Sequence, residues 1–154
     1  MRTHGDRTLL IVEDSPEDLE ATLRALRRSG FSHAVAHCAD GEEALDYLHR
    51  RGRFAAAGAA PRPDLVLLDL NLPGTSGREV LAEVKSTERL RSIPIVVFTT
   101  SAADRDVDAC YRTGANGYVQ KPVGVDALVS ALQCFDEFWF GVARLPTPER
   151  EGFR

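Results

Sequence analysis

The sequence predicts an α/β fold, an open sheet of parallel strands with helices on both faces, and three observations predict it. Short apolar runs alternate five times with longer stretches of helical periodicity. The runs in the middle of the chain are continuously apolar rather than alternating, as expected of strands covered on both faces. Four of the five runs stop at charged, amide or hydroxyl side chains on their carboxyl-terminal side, the edge where sheets of this kind bind ligands.

The elements follow in order. Leu9–Val12 is the first strand and stops at Glu13-Asp14. Ser15 and Pro16 then supply an N-cap and a first helical residue, with Glu17 and Asp18 as acids suited to a helix start. Leu19, Leu23 and Leu26 recur at helical spacing, Arg27 and Arg28 fill the last turn and Gly30 can close it. Ala34–Cys38 is the second strand, and the helix after Asp40-Gly41 turns Ala44, Leu45 and Leu48 inward. Arg51 to Pro63, rich in Ala, Gly, Arg and Pro, reads as a loop with some helical content. Leu65–Leu70 is the central strand, interrupted by Asp69 near its end. A helix from about Ser76 buries Val80, Leu81 and Val84, and Ile95–Thr99 is the fourth strand. Asp104–Thr113 is a short helix ending at Gly114, Gly117–Gln120 a short fifth strand, and Val125 to Trp139 a last helix with Leu128, Leu132, Phe135 and Trp139 on one stripe.

Composition narrows the function. The 154 residues suit one domain, expected over residues 1–141, with a tail at 142–154. A formal net charge of −4 offers no broad basic field for nucleic acid and no polybasic patch for a membrane surface. No apolar stretch is long enough to span a bilayer, and the start lacks the apolar core of a secretory signal. Cys38, Cys110 and Cys134 are odd in number, widely spaced and without a CxxC pair. They read as small buried apolar residues in a cytoplasmic protein. His33 and His37 have a metal-binding spacing for a helix, but on a strand that spacing does not bring them together.

The strand ends carry the chemistry. Glu13-Asp14, Asp69 with Asn71 beyond it, Thr99-Thr100 and Lys121-Pro122 all arrive at one edge. Three carboxylates in one crevice repel each other and resist desolvation. A hard divalent cation resolves that conflict, and Mg²⁺ suits a few carboxylates, a carbonyl and retained waters. Asp69 can then act as a nucleophile toward phosphorus. Lys121 would neutralise the phosphoryl oxygens, while the Thr99 hydroxyl and nearby backbone N–H groups would hydrogen-bond them.

These motifs resemble the receiver domains of two-component response regulators. The residues that carry the resemblance are Val12-Glu13-Asp14-Ser15, Leu67 to Gly74, Gly77, Val97 to Ser101, Gly114-Ala115 and Gly117 to Pro122. The resemblance runs from about Thr8 to Phe138 with the motifs in order. It implies a flavodoxin-like five-stranded parallel sheet in the order 2-1-3-4-5. It implies Asp69 as phospho-acceptor, with Mg²⁺ held by Asp14, Asp69 and the main-chain oxygen of Asn71, and Glu13 helping through water. It also implies Lys121 on the phosphate, a cis bond to Pro122, and Thr99 and Tyr118 as a switch pair that remodels the face of the fourth helix and fifth strand. A sensor histidine kinase is the implied partner, and the chain is not expected to be an enzyme beyond its own phosphoryl transfer and dephosphorylation. Glu-Asp stands where Asp-Asp is commoner, Thr100 where a small Ala is usual, and Val123 where Phe is usual.

Two features exceed this pattern: the Arg51–Pro63 segment and the aromatic ending around Phe138, Trp139 and Phe140. Four aromatics between Phe135 and Phe140 cannot all face one core at helical spacing, so an interface is expected there. Both features also resemble the small regulators paired with bacterial phytochrome kinases, which implies a homodimer. Two alternative functions compete. An aspartyl-phosphate hydrolase usually carries a second acid two residues after its nucleophile, where Asn71 stands here. A pseudo-receiver, a binding module without phosphorylation, would not need the complete acid–lysine set.

Overall fold

The computed structural model describes residues 7–146. Its strands are β1 (Thr8–Val12), β2 (Ala34–Cys38), β3 (Leu65–Leu68), β4 (Ile95–Thr99) and β5 (Gly117–Gln120). Its α-helices are α1 (Pro16–Arg28), α2 (Gly41–His49), α3 (Gly77–Ser86), α4 (Asp104–Thr113) and α5 (Val125–Asp136). All strand pairs are parallel and the order is β2-β1-β3-β4-β5, as the resemblance implied. The expected tail beyond Pro146 lies outside the described residues.

Strand side chains alternate between faces, and this splits the core in two. Leu10, Val12, Val66, Leu68, Ile95 and Val97 meet Ala44 and Leu48 of α2 and Val80, Leu81 and Val84 of α3. Leu9, Ile11, Leu65, Leu67, Val96 and Phe98 meet Ala25 and Leu26 of α1 and Leu132 and Phe135 of α5. Strands β1, β3 and β4 are buried along their whole length, which is why they are continuously apolar. Each buried Leu, Ile or Val contributes about 1.5–3 kcal/mol, enough to hold the polar strand ends in fixed register.

The helix starts differ in how they are secured. Ser15 accepts from Asp18 N, Asp40 from Glu43 N, and Ser76 and Glu79 form a reciprocal capping box at α3. Neither α4 nor α5 has a side-chain cap, and α4 buries only Cys110. The 51–63 segment is a loop with one 3₁₀ turn, Gly52–Phe54, anchored by buried Phe54 against Tyr47, whose hydroxyl donates to Pro61 O.

The structure corrects four expectations. Strand β3 ends at Leu68, because Leu70 O turns aside to accept from Leu72 N and Gly77 N. The Lys121–Pro122 bond is trans; Lys121 N continues the ladder to Thr99 O, and Gly124 at φ +97° makes the turn into α5 instead. Cys134 is exposed on the outer face of α5, unlike buried Cys38 and Cys110.

The fourth correction concerns the aromatic ending. The α-helix stops at Asp136 and continues as a π-helical segment, Glu137–Val142. The wider turn brings Phe140 onto the same face as Phe135, with ring centroids 6.4 Å apart. Phe140 is 5% exposed; it stacks on His33 and meets Phe31 edge-on, while Arg7 donates to its main-chain oxygen. Phe140 is therefore a core residue, not an exposed interface residue. Trp139 is half-buried against the same cluster, and Phe138 remains exposed.

Candidate functional site

The carboxyl ends of β1, β3, β4 and β5 converge as their register demands. Asp69 follows directly on β3 and donates its N–H to Val12 O of β1, which sets it beside Glu13. The turn after Asp69 is tight: a Cβ at Gly77 would overlap the Asp69 main-chain oxygen and lie 2.7 Å from Leu70 Cα. The start of α3 can approach Asp69 so closely only with glycine there.

Glu13, Asp14 and Asp69 bring one ligand atom each to within 4.8 Å of one another, the only such group among the described residues. Glu13 and Asp69 are buried and Asp14 is exposed, so the trio opens to solvent on one side. Glu13 is fixed further by Ser15 N–H at 3.2 Å, and His37 Nε2 lies 2.8 Å from its main-chain oxygen. Asn71 is exposed, and its N–H donates to Asp69 Oδ1 at 3.2 Å.

Lys121 reaches into this cluster from the end of β5. Its Nζ donates to Glu13 Oε1 at 2.6 Å, Asp69 Oδ2 at 3.0 Å and Asp18 Oδ2 at 3.0 Å. Burial works against the ammonium, but these hydrogen bonds outweigh it and lift Lys121 above the usual lysine range. On Glu13, burial with the Asp69 charge beside it outweighs the Lys121 hydrogen bond and pushes the carboxyl up to about 7. One ammonium thus faces four carboxylates, Glu13, Asp14, Asp18 and Asp69, gathered at this edge. The donor set suits a divalent ion: three carboxylates within 4.8 Å of one another at a site that opens to solvent at Asp14.

Thr99 at the end of β4 is fully buried, and its hydroxyl has no hydrogen-bond partner. Such a group costs about 1–3 kcal/mol, a cost that an acceptor arriving at this edge would remove. Tyr118 on β5 is partly buried and donates its hydroxyl to Ser101 O at 2.9 Å, in the loop leading to α4.

Of the strand-end residues singled out by the sequence, Glu13, Asp14, Asp69 and Lys121 come together here, with Thr99 on the neighbouring strand end. The interface expectation is the one that separates, since Phe140 is buried away from Phe138. His33 and His37 also diverge, one stacked on Phe140 and the other beside Glu13. Asp18 was missed. It fits a helix-start acid so well that its position in the first turn of α1, facing the strand ends, gave no separate signal.

Residues 9–133 match the family described as the response regulator receiver domain. The chain is 40% identical over 140 residues to the probable methanogenesis regulatory protein FilR2 of Methanothrix harundinacea, covering 91% of this chain and 88% of that protein. It is 39% identical over 140 residues to the response regulator Rcp1 of Synechocystis, covering 91% and 93%. The crystal structure of Rcp1 in its Mn²⁺-bound form superposes with a TM-score of 0.84 at 38% identity over 92% of this chain and 99% of that one. The crystal structure of the phosphorylated cyanobacterial phytochrome response regulator RcpA gives 0.85 at 40% identity, with the same shares covered.

Proposed function

The chain belongs to the response regulator receiver family, and from that premise we propose that Asp69 accepts a phosphoryl group from the phosphohistidine of a sensor histidine kinase. The observation that carries this reading is Lys121 Nζ at 3.0 Å from Asp69 Oδ2 inside the Glu13–Asp14–Asp69 cluster. A carboxylate nucleophile, a buried ammonium and a ligand set for a divalent ion share one strand edge.

An Asp69 carboxylate oxygen forms the new bond to phosphorus. The phosphorus–nitrogen bond of the donor breaks and its electron pair returns to the imidazole, leaving an acyl phosphate. Asp14, Asp69 and the main-chain oxygen of Asn71 would hold Mg²⁺, with Glu13 assisting through water; the ion supplies charge neutralisation to the phosphoryl oxygens. Lys121 supplies a second positive charge, and the Thr99 hydroxyl gains the acceptor it lacks.

The added charge at Asp69 is the switching signal. Thr99 turns toward the phosphoryl group, and Tyr118 exchanges its Ser101 hydrogen bond for the space released, moving the α4–β5 face; Pro122, with φ fixed by its ring, restricts the chain leaving Lys121. The similarity to the cyanobacterial phytochrome response regulator RcpA supports a phytochrome-type kinase as the phosphodonor. Receiver residues 1–141, a cytoplasmic setting and a homodimer that uses exposed Phe138 complete the proposal.

The test is phosphorylation with acetyl phosphate and Mg²⁺, followed by mass spectrometry. Wild type is expected to gain one phosphoryl group at Asp69, and Asp69→Asn none. Normal labelling of Asp69→Asn would remove the assignment.

A further inference from the structure

Lys121 has three N–H donors, and all three are committed to carboxylates: Glu13, Asp69 and Asp18. To serve a phosphoryl oxygen the ammonium must give up one of them. Glu13 and Asp69 are almost wholly buried, with side chains 4% and 7% exposed, whereas the Asp18 side chain is 49% exposed. A released Glu13 or Asp69 oxygen would stay buried without its donor, which is costly whatever its charge. A released Asp18 carboxylate is taken up by water. Asp18 also lines, with Lys121, Phe98, Pro122 and Leu128, a cleft of about 250 Å³ between α1 and α5, so solvent reaches it directly.

Resting on the proposed role of Asp69, we propose that Asp18 is a positioning residue that acts through Lys121: it holds the ammonium on the α1 side and must release it as the phosphodonor arrives. With acetyl phosphate, an Asp69 oxygen bonds to phosphorus, the bond from phosphorus to the acetyl oxygen breaks, and acetate leaves with that electron pair. Lys121 exchanges Asp18 for a phosphoryl oxygen, and no proton is transferred. Asp18 therefore competes with the donor and raises the donor concentration needed.

The experiment measures the initial rate of Asp69 labelling against acetyl phosphate concentration at saturating Mg²⁺. Asp18→Asn, with Asp18→Ala as a second variant, is expected to lower the half-saturating concentration about three- to fivefold, leaving the limiting rate within about twofold. Asp18→Glu should restore the wild-type value. The ¹⁵N resonance of the Lys121 ammonium, identified by its loss in Lys121→Met, should shift in both variants. A wild-type half-saturation in both Asn and Ala variants, or an unmoved Lys121 resonance, overturns the proposal while leaving Asp69 as acceptor intact. Failure of wild type itself to label overturns the Asp69 reading, and the role of Asp18 with it.

Discussion

Replacing Phe140 with Ala tests whether the π-helical ending is part of the core. The ring is 5% exposed, stacks on His33 with centroids 4.7 Å apart, and meets Phe31 at 5.3 Å and Phe135 at 6.4 Å. Truncating a buried Phe costs about 3–5 kcal/mol. Phe140 sits in a short segment after α5 that can detach locally, which limits the loss, so about 3 kcal/mol is expected. At about 2–4 °C per kcal/mol, Tm should fall by about 10 °C. Urea unfolding followed by far-UV circular dichroism should show a lower midpoint with an unchanged slope. The same change at exposed Phe138 should cost less than about 1 kcal/mol. If Phe140→Ala stayed within about 1 kcal/mol of wild type while Phe138→Ala lost more, Phe140 would not be the core residue of this ending and Phe138 would take that place.

Gly77→Ala should destabilise the protein by about 3 kcal/mol, because the new methyl overlaps the Asp69 main-chain oxygen; it should also slow Asp69 labelling, whereas Gly74→Ala, whose added methyl meets nothing within 4 Å, should cost about 1–2 kcal/mol through its backbone alone. The raised Glu13 carboxyl makes divalent binding depend on pH. Since the ion favours the ionised form, Mn²⁺ affinity measured by calorimetry should rise about tenfold per pH unit below 7 and level off above it, and Glu13→Gln should flatten that profile. In chelator the sign reverses. The folded state holds the Glu13 proton more tightly than the unfolded chain, so this group's contribution to stability falls as pH rises from about 4.5 to 7; a Glu13→Gln variant with an unchanged difference between pH 5.5 and 7.5 would contradict it.

Most of the sheet was legible because burial on both faces leaves an unambiguous record, runs such as Leu65–Leu68 and Ile95–Phe98 that end at the polar edge. The strand-end residues were legible for a related reason: Asp69 directly follows a wholly apolar strand, so its charge needs an explanation. Asp18 was not, because helix-start chemistry already accounts for an acid there. The aromatic ending misled because inward-facing Phe135 and Phe140 are incompatible only at 3.6 residues per turn, and the π-helical segment breaks that period between them. The trans bond before Pro122 depends on how Gly124 sets the turn into α5, which local composition does not encode, whereas the stripe of Leu128, Leu132 and Phe135 already leaves Cys134 off the inner face.

Helix α4 buries one residue, Cys110, begins without a side-chain cap, and is otherwise held by partly exposed contacts such as the Arg78–Asp106 pair to α3. Its tether to the sheet edge runs through Ser101, whose hydroxyl donates to Asp106 while its carbonyl accepts from Tyr118. Little buried apolar surface is exposed when such a helix lifts, so it is cheaper to displace than α3, and its amides should exchange with solvent sooner than those of α3. Under the proposed function, a loosely seated helix would be a sensitive readout: charge added at Asp69 too weak to disturb the tightly packed strands would still shift how firmly α4 is docked.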